Sequence, residues 1–108
     1  MADNRIGGFE ELVLLAVAGL QGDGYGVNIR DHLETGTNQR VSVGAVYATL
    51  DRLERKGYVM SHMGDATADR GGKRKRLFRI TPNGTAAITD ARRLRQIFWD
   101  AIEAPVNA

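Results

Sequence analysis

Four stretches of this chain space their apolar residues as helices do, and one stretch between the third and fourth changes to a period of two. Phe9, Leu12, Val13, Ala16, Val17 and Leu20 follow i, i+3, i+4, i+7 spacing, with Leu14 and Leu15 adding apolar surface on the other side. A helix apolar nearly all round has to be covered on more than one face. A chain of 108 residues cannot easily cover both, so a partner subunit is implied. Gly19, Gly22, Asp23 and Gly24 break this helix, and Tyr25 to Leu33 predicts a second, short one with Val27, Ile29 and Leu33 apolar. Thr35, Gly36, Thr37 and Asn38 predict a turn. A third helix follows at Ser42, whose hydroxyl suits an N-cap, with Val46, Leu50 and Leu53 as its apolar stripe and Gly57 as its left-handed C-terminal cap. Two short helices joined by a tight turn describe a helix-turn-helix.

After Gly57 the residues Tyr58, Met60 and His62 alternate with Val59, Ser61 and Met63, predicting a strand, and Lys75 to Ile80 predicts a second with Phe78 and Ile80 on one face. The stretch between them, Gly64 to Arg74, is too long for an ordinary hairpin turn and reads as a wing. Thr81-Pro82 caps and opens the last helix, which is expected to run to about Glu103 before Pro105. Its seam of Ala87, Ala91, Leu94, Phe98 and Ala101, widened by Ile88, Ile97 and Ile102, is heptad-like and suits a second subunit.

Charge sharpens this picture more than composition does. The formal net charge is only +2, but residues 40 to 79 hold ten basic and four acidic residues, whereas the remainder holds five basic and nine acidic. A concentrated cation on an otherwise acidic molecule is the footprint of a polyanion binder. The third helix fits that role. It carries Gly44, Ala45, Tyr47 and Ala48 around its first turns and Arg52 and Arg55 behind them, a small-residue front with a basic flank that suits the width of the B-DNA major groove. The competing reading is an ordinary amphipathic helix, and for Tyr47 a ring that closes the domain core. Cysteine is absent, which removes disulfides, thiolate nucleophiles and cysteine metal sites. His32 and His62 stand apart from any ligand partner, no catalytic constellation stands out, and Gly71-Gly72 lacks the context of a nucleotide site. No cofactor and no metal are expected. No targeting segment is read, and Leu12 to Leu20 is too short to span a bilayer, so a cytoplasmic protein with no membrane partner is expected.

In order and spacing, Leu12 to Leu15 with Gly24-Tyr25 and Val27, Ser42-Val43-Gly44-Ala45-Val46-Tyr47 with Leu50, Arg52-Leu53-Glu54 and Gly57-Tyr58-Val59, and Gly71 to Thr81 together resemble the PadR family of bacterial winged-helix transcriptional regulators. The likeness covers roughly Phe9 to Gly84, and the short last helix is similar to the family's compact subgroup. Two positions depart from the family pattern: Ala48 and Arg74 stand where proline is usual, which favours a more regular helix and a more basic wing.

The resulting expectation is a mainly α chain with a small β-hairpin: a winged helix-turn-helix over residues 1–80 and a C-terminal dimerisation helix over 81–108, together one compact unit. It is expected to be a regulator, not an enzyme, and a repressor that binds a double-stranded operator of two-fold symmetry as a homodimer. The alternative is a winged-helix module that binds protein or RNA. Ser42, Gly44, Tyr47 and Arg52 are the candidate groove contacts, and Arg70, Lys73, Arg74, Lys75 and Arg76 the wing's phosphate contacts. Leu12, Leu15, Ala91, Leu94, Phe98 and Ile102 are the candidate dimer interface. Trp99, with Arg95 nearby, is read in two ways: as an interface anchor, or as a wall for the small aromatic effector that the resemblance implies at a dimer interface.

Overall fold

A computed structural model describes residues 5–65 and 74–102. The elements run α1 (Gly8–Gly19), α2 (Gly26–Thr37), α3 (Val43–Arg55), β1 (Val59–Met63), β2 (Arg76–Ile80) and α4 (Pro82–Asp100). The helices α1, α2 and α3 pack on one another around Val13, Leu14, Val17, Ile29, Leu50 and Leu53, and Phe78 of β2 closes that core. The mainly helical class with one antiparallel hairpin is as the periodicity predicts.

Local chemistry explains where each element starts and stops. The N-terminus of α1 is held by Glu10, whose Oε1 accepts from the Gly7 N–H at 3.0 Å. Tyr25 precedes α2, and its N–H donates to Asn28 Oδ1 at 2.7 Å. Ser42 caps α3, its Oγ accepting from the Ala45 N–H. At the other end Gly57 takes φ +80, with the Gly57 N–H donating to Glu54 O and the Tyr58 N–H to Leu53 O. Those two bonds are the paired closure of a Schellman motif, which needs a left-handed residue where glycine stands.

One boundary differs from expectation. α2 does not stop at Leu33 but runs through Thr35, Gly36 and Thr37. Thr37 Oγ1 donates back to Leu33 O at 2.8 Å, and Asn38, at φ 55, closes the helix with its N–H on Glu34 O. Threonine and glycine by composition favour a break there, but a hydroxyl bonded to its own helix and an asparagine able to turn left-handed place the break four residues later. The connection is then secured by Glu34, whose Oε2 accepts from the Val41 N–H at 2.8 Å.

The hairpin pairs Val59 with Ile80 through Met63 with Arg76. Phe78 also donates its N–H to Gly24 O at 2.8 Å, an isolated bridge that ties the α1–α2 connection to the edge of the sheet. Thr81 joins three parts of the chain: its hydroxyl accepts from the Gly84 N–H and donates to Gly57 O at 2.6 Å. The first turn of α4 is thereby seated against the end of α3. Gly84 is buried there so closely that a Cβ would collide with Tyr58 O. Beyond this seat α4 runs out along α1 and ends at Asp100, short of the expected Glu103, which lies outside the described residues.

Candidate nucleic-acid interface

Successive residues of an α-helix turn by about 100°. Val46, Thr49, Leu50 and Leu53 are buried, so they mark the inward side of α3, and the opposite side carries Gly44, Ala48, Asp51 and Arg55. The middle of the outward face therefore has almost no side-chain bulk over its first two turns. Ser42 and Gly44 lie at its exposed N-terminal end, as expected. Tyr47 sits on one flank, 41% exposed. Its ring rests on Gly26, where a Cβ would collide with it, so it lies against the start of α2 without entering the core. Arg52 sits on the other flank, where Nη2 donates to buried Thr49 Oγ1 at 3.1 Å and Nε lies 3.9 Å from Glu10 Oε2. Asp51 is not among the sequence-based candidates, although the same helical geometry, counted from Val46, Leu50 and Leu53, places it opposite the core.

Glu10 links α1 to this helix. Its side chain is only 13% exposed, and Lys56 Nζ lies 2.9 Å from Oε2. Burial pushes the carboxyl pKa up, but the Gly7 N–H, the Lys56 ammonium and the Arg52 guanidinium together outweigh burial and hold it below its ordinary 4.5. Glu10 thus remains ionised and draws the basic end of α3 toward α1.

The hairpin stands beside α3. At its described base the Gly64 N–H donates to Lys75 O at 2.7 Å. Arg74 folds over the end of β1, its Nε on Gly64 O at 2.9 Å. Lys75 Nζ lies 4.8 Å from the centroid of the Tyr25 ring. Arg70 and Lys73, also candidate wing cations, lie outside the described residues.

The candidate dimer residues fall into two sets. Leu12 and Leu15 are exposed on α1, and Phe98 and Ile102 are exposed near the end of α4, Phe98 at 73%. Ala91 and Leu94 are half-buried, lining an open cleft of about 640 Å³ between Ile6, Tyr58 and the first half of α4. Trp99 is 56% exposed. Arg95 is engaged across the helices with Glu11 Oε1 at 2.6 Å, a bond that raises its pKa further. Among the described residues no group of three or more His, Cys, Asp or Glu side chains could hold a metal, and no helix is long and apolar enough to cross a membrane.

With the fold and the bare face of α3 in place, comparison with known proteins is decisive. Residues 14–90 match the transcriptional regulator PadR-like family. The chain belongs to the PadR-like family. Over 54 residues it is 44% identical to transcriptional regulator Rv3488 of Mycobacterium tuberculosis, covering 50% of this chain and 47% of that protein. Over 73 residues it is 34% identical to an uncharacterized Lysinibacillus sphaericus protein, covering 66% of this chain and 64% of the relative. The chain therefore spans about half to two thirds of the length of these relatives. Among solved structures, RosR of H. salinarum superposes with a TM-score of 0.71 at 25% identity, over 92% of this chain and 82% of that one. A PadR-like regulator from Bacillus cereus, at 17% identity, shares the fold over 83% of this chain and 82% of its own, with a TM-score of 0.69. The PadR-like family to which the chain belongs consists of transcriptional regulators, not enzymes, and its members bind DNA.

Proposed function

We propose that this PadR-like protein is a repressor that binds a two-fold symmetric duplex operator as a homodimer. The observation that carries the reading is the outward face of α3: a well-packed helix whose exposed middle, Gly44 and Ala48, is nearly backbone, standing beside a basic hairpin. Such a face lets a helix approach base edges closely, while cations beside it fix register on the phosphates. In this reading Ser42, Gly44, Tyr47 and Arg52 meet the groove, and Arg70, Lys73, Arg74 and Lys75 meet the backbone. Residues 1–80 form the DNA-binding part. Residues 81–108 form the dimerisation part, in which Ala91, Leu94 and Phe98 of α4, with Ile102 just beyond it, are offered to Leu12 and Leu15 of a second copy. Two such heads give an operator with two half-sites.

Enrichment of bound duplexes from a random pool, followed by fluorescence anisotropy across salt, tests this. The enriched sequences should show two-fold symmetry and resist single-stranded competitor. Lys73→Ala with Lys75→Ala should flatten the salt slope by about 0.9 for each phosphate that is no longer neutralised. Enrichment of single strands, or none at all, would favour an RNA- or protein-binding module instead.

A small planar effector stacking on Trp99 between two α4 helices would release the operator by favouring one spacing of the heads. Exposure of the indole supports this, and Arg95 enters it already paired with Glu11. Quenching of the single tryptophan by a planar dye, paralleled by weaker operator binding, is the expected result.

A further inference from the structure

The basic run Lys73 to Arg76 at first counts as four phosphate-binding cations, but the structure sets Arg76 apart from Arg74 and Lys75. Its Nη2 donates to Glu54 Oε1 in a short bond, and its Nη1 lies 3.7 Å from Asp51 Oδ1. Its Nε donates to Ser61 Oγ at 3.1 Å, and that hydroxyl donates in turn to Glu54 Oε2 at 2.7 Å. The guanidinium also covers the Phe78 ring, 4.9 Å from its centroid. Each guanidinium nitrogen thus faces a partner within the protein. Two acids of α3 face one base of β2, so the joint between the recognition helix and the hairpin carries net negative charge within an otherwise cationic surface.

Stability is a weak reason for this arrangement. The Arg76, Glu54 and Asp51 side chains are 42%, 33% and 57% exposed, and half-exposed ion pairs stabilise a fold little. Its effect on binding is larger. Sequence-independent affinity for duplex DNA comes almost entirely from cations that displace counterions from phosphates, and every available cation adds to it. A cation already neutralised inside the protein adds nothing, whereas base-edge contacts elsewhere on α3 are untouched.

We infer that Asp51 and Glu54 are specificity-determining residues, which hold Arg76 off the phosphate backbone and so restrain sequence-independent DNA binding. This rests on the proposed contact of α3 and the hairpin with duplex DNA. It is a repulsive element of the kind that widens the gap between right and wrong partners without strengthening the hold on the right one.

Four proteins test it: the unmodified chain, Arg76→Gln, Asp51→Asn with Glu54→Gln, and the triple variant. Each is titrated with an enriched duplex and with a scrambled duplex of equal length across salt, and its folding is checked by thermal unfolding. Releasing Arg76 in the Asp51→Asn, Glu54→Gln protein should steepen the salt slope on scrambled duplex by about 0.9, the value for one phosphate. Affinity for that duplex should rise and the ratio of enriched to scrambled binding should narrow. The triple variant should return to the unmodified slope, and Arg76→Gln alone should leave the slope where it was. A slope made shallower by Arg76→Gln would show that this arginine already touches phosphate and would overturn the inference, even if the carboxylate variants fold poorly. Unchanged slopes in the folded carboxylate variants would overturn it too. An unmodified protein with no salt-dependent affinity for any duplex would overturn the proposed function itself, a result distinct from either of these.

Discussion

The helices α3 and α4 are both amphipathic and both lie at the surface, yet they expose opposite chemistry. Every large aliphatic residue in the middle of α3 is buried, and what it shows outward is Gly44, Ala48, Asp51 and Arg55. In α4 only Gly84 is buried, and the far half shows Ile97, Phe98 and Trp99. A finished inner face with a lean polar outer face is suited to a wet, charged, narrow partner. An unfinished apolar face is suited to another apolar face, because contiguous exposed patches of this kind mark association sites. In the proposed function the two helices divide the tasks: α3 would meet the ligand that carries the information, and α4 a second copy of the chain. The first turn of α4 belongs with α3 in this contrast, since Gly84 and Thr81 fasten it to the domain.

The sharpest way to break the contrast is to alter one apolar residue on each helix. Leu53→Ala removes a fully buried side chain and should cost about 2–5 kcal/mol, read as a fall in unfolding midpoint at any protein concentration. Phe98→Asp should leave the winged helix folded, with the loss appearing as a halved mass in sedimentation and as an unfolding midpoint that no longer depends on concentration. A Phe98→Asp protein that remained dimeric would place the interface elsewhere.

A smaller effect on stability, with a large one on binding, is expected on the outward face. Ala48→Leu adds bulk on an exposed position, so stability should change by less than about 0.5 kcal/mol. Affinity for an enriched duplex should nevertheless fall at least about tenfold, roughly 1.4 kcal/mol, because the helix can no longer approach the bases. Retention of full affinity would mean that this face does not enter a groove.

The smallest effect concerns the strut between α1 and α3. The Glu10 pKa is lowered in the folded protein, so its contribution to stability is present above the unfolded value of 4.5 and is lost as pH falls through the lower folded value. The unfolding midpoint of the unmodified chain should therefore drop more steeply below pH 4.5 than that of Glu10→Gln, and the two should differ by a constant amount near neutrality. Parallel curves at all pH values would show that the carboxylate does no electrostatic work there.

Much of this is legible from spacing alone. Ser42, the Val46–Leu50–Leu53 stripe and Gly57 locate α3 because cap, stripe and left-handed stop are all local chemistry. Thr81-Pro82 locates the start of α4 for the same reason. The end of α2 falls elsewhere than composition suggests because the fate of Thr37 and Asn38 depends on which carbonyl each one meets. The Phe78–Gly24 bridge and the Arg76 joint are hidden for a different reason. Both link residues far apart in sequence, so no periodicity records them. Arg76 in particular looks like its neighbours in a basic run until Asp51, Glu54 and Ser61 are seen around it.

Amide shifts of the chain, recorded while an enriched duplex is titrated in, test the central claim most directly. The largest changes should fall on Ser42 to Arg55 and on the base of the hairpin at Arg74 and Lys75, with Ile97 to Trp99 unmoved. Changes centred on the exposed end of α4, with α3 silent, would contradict it.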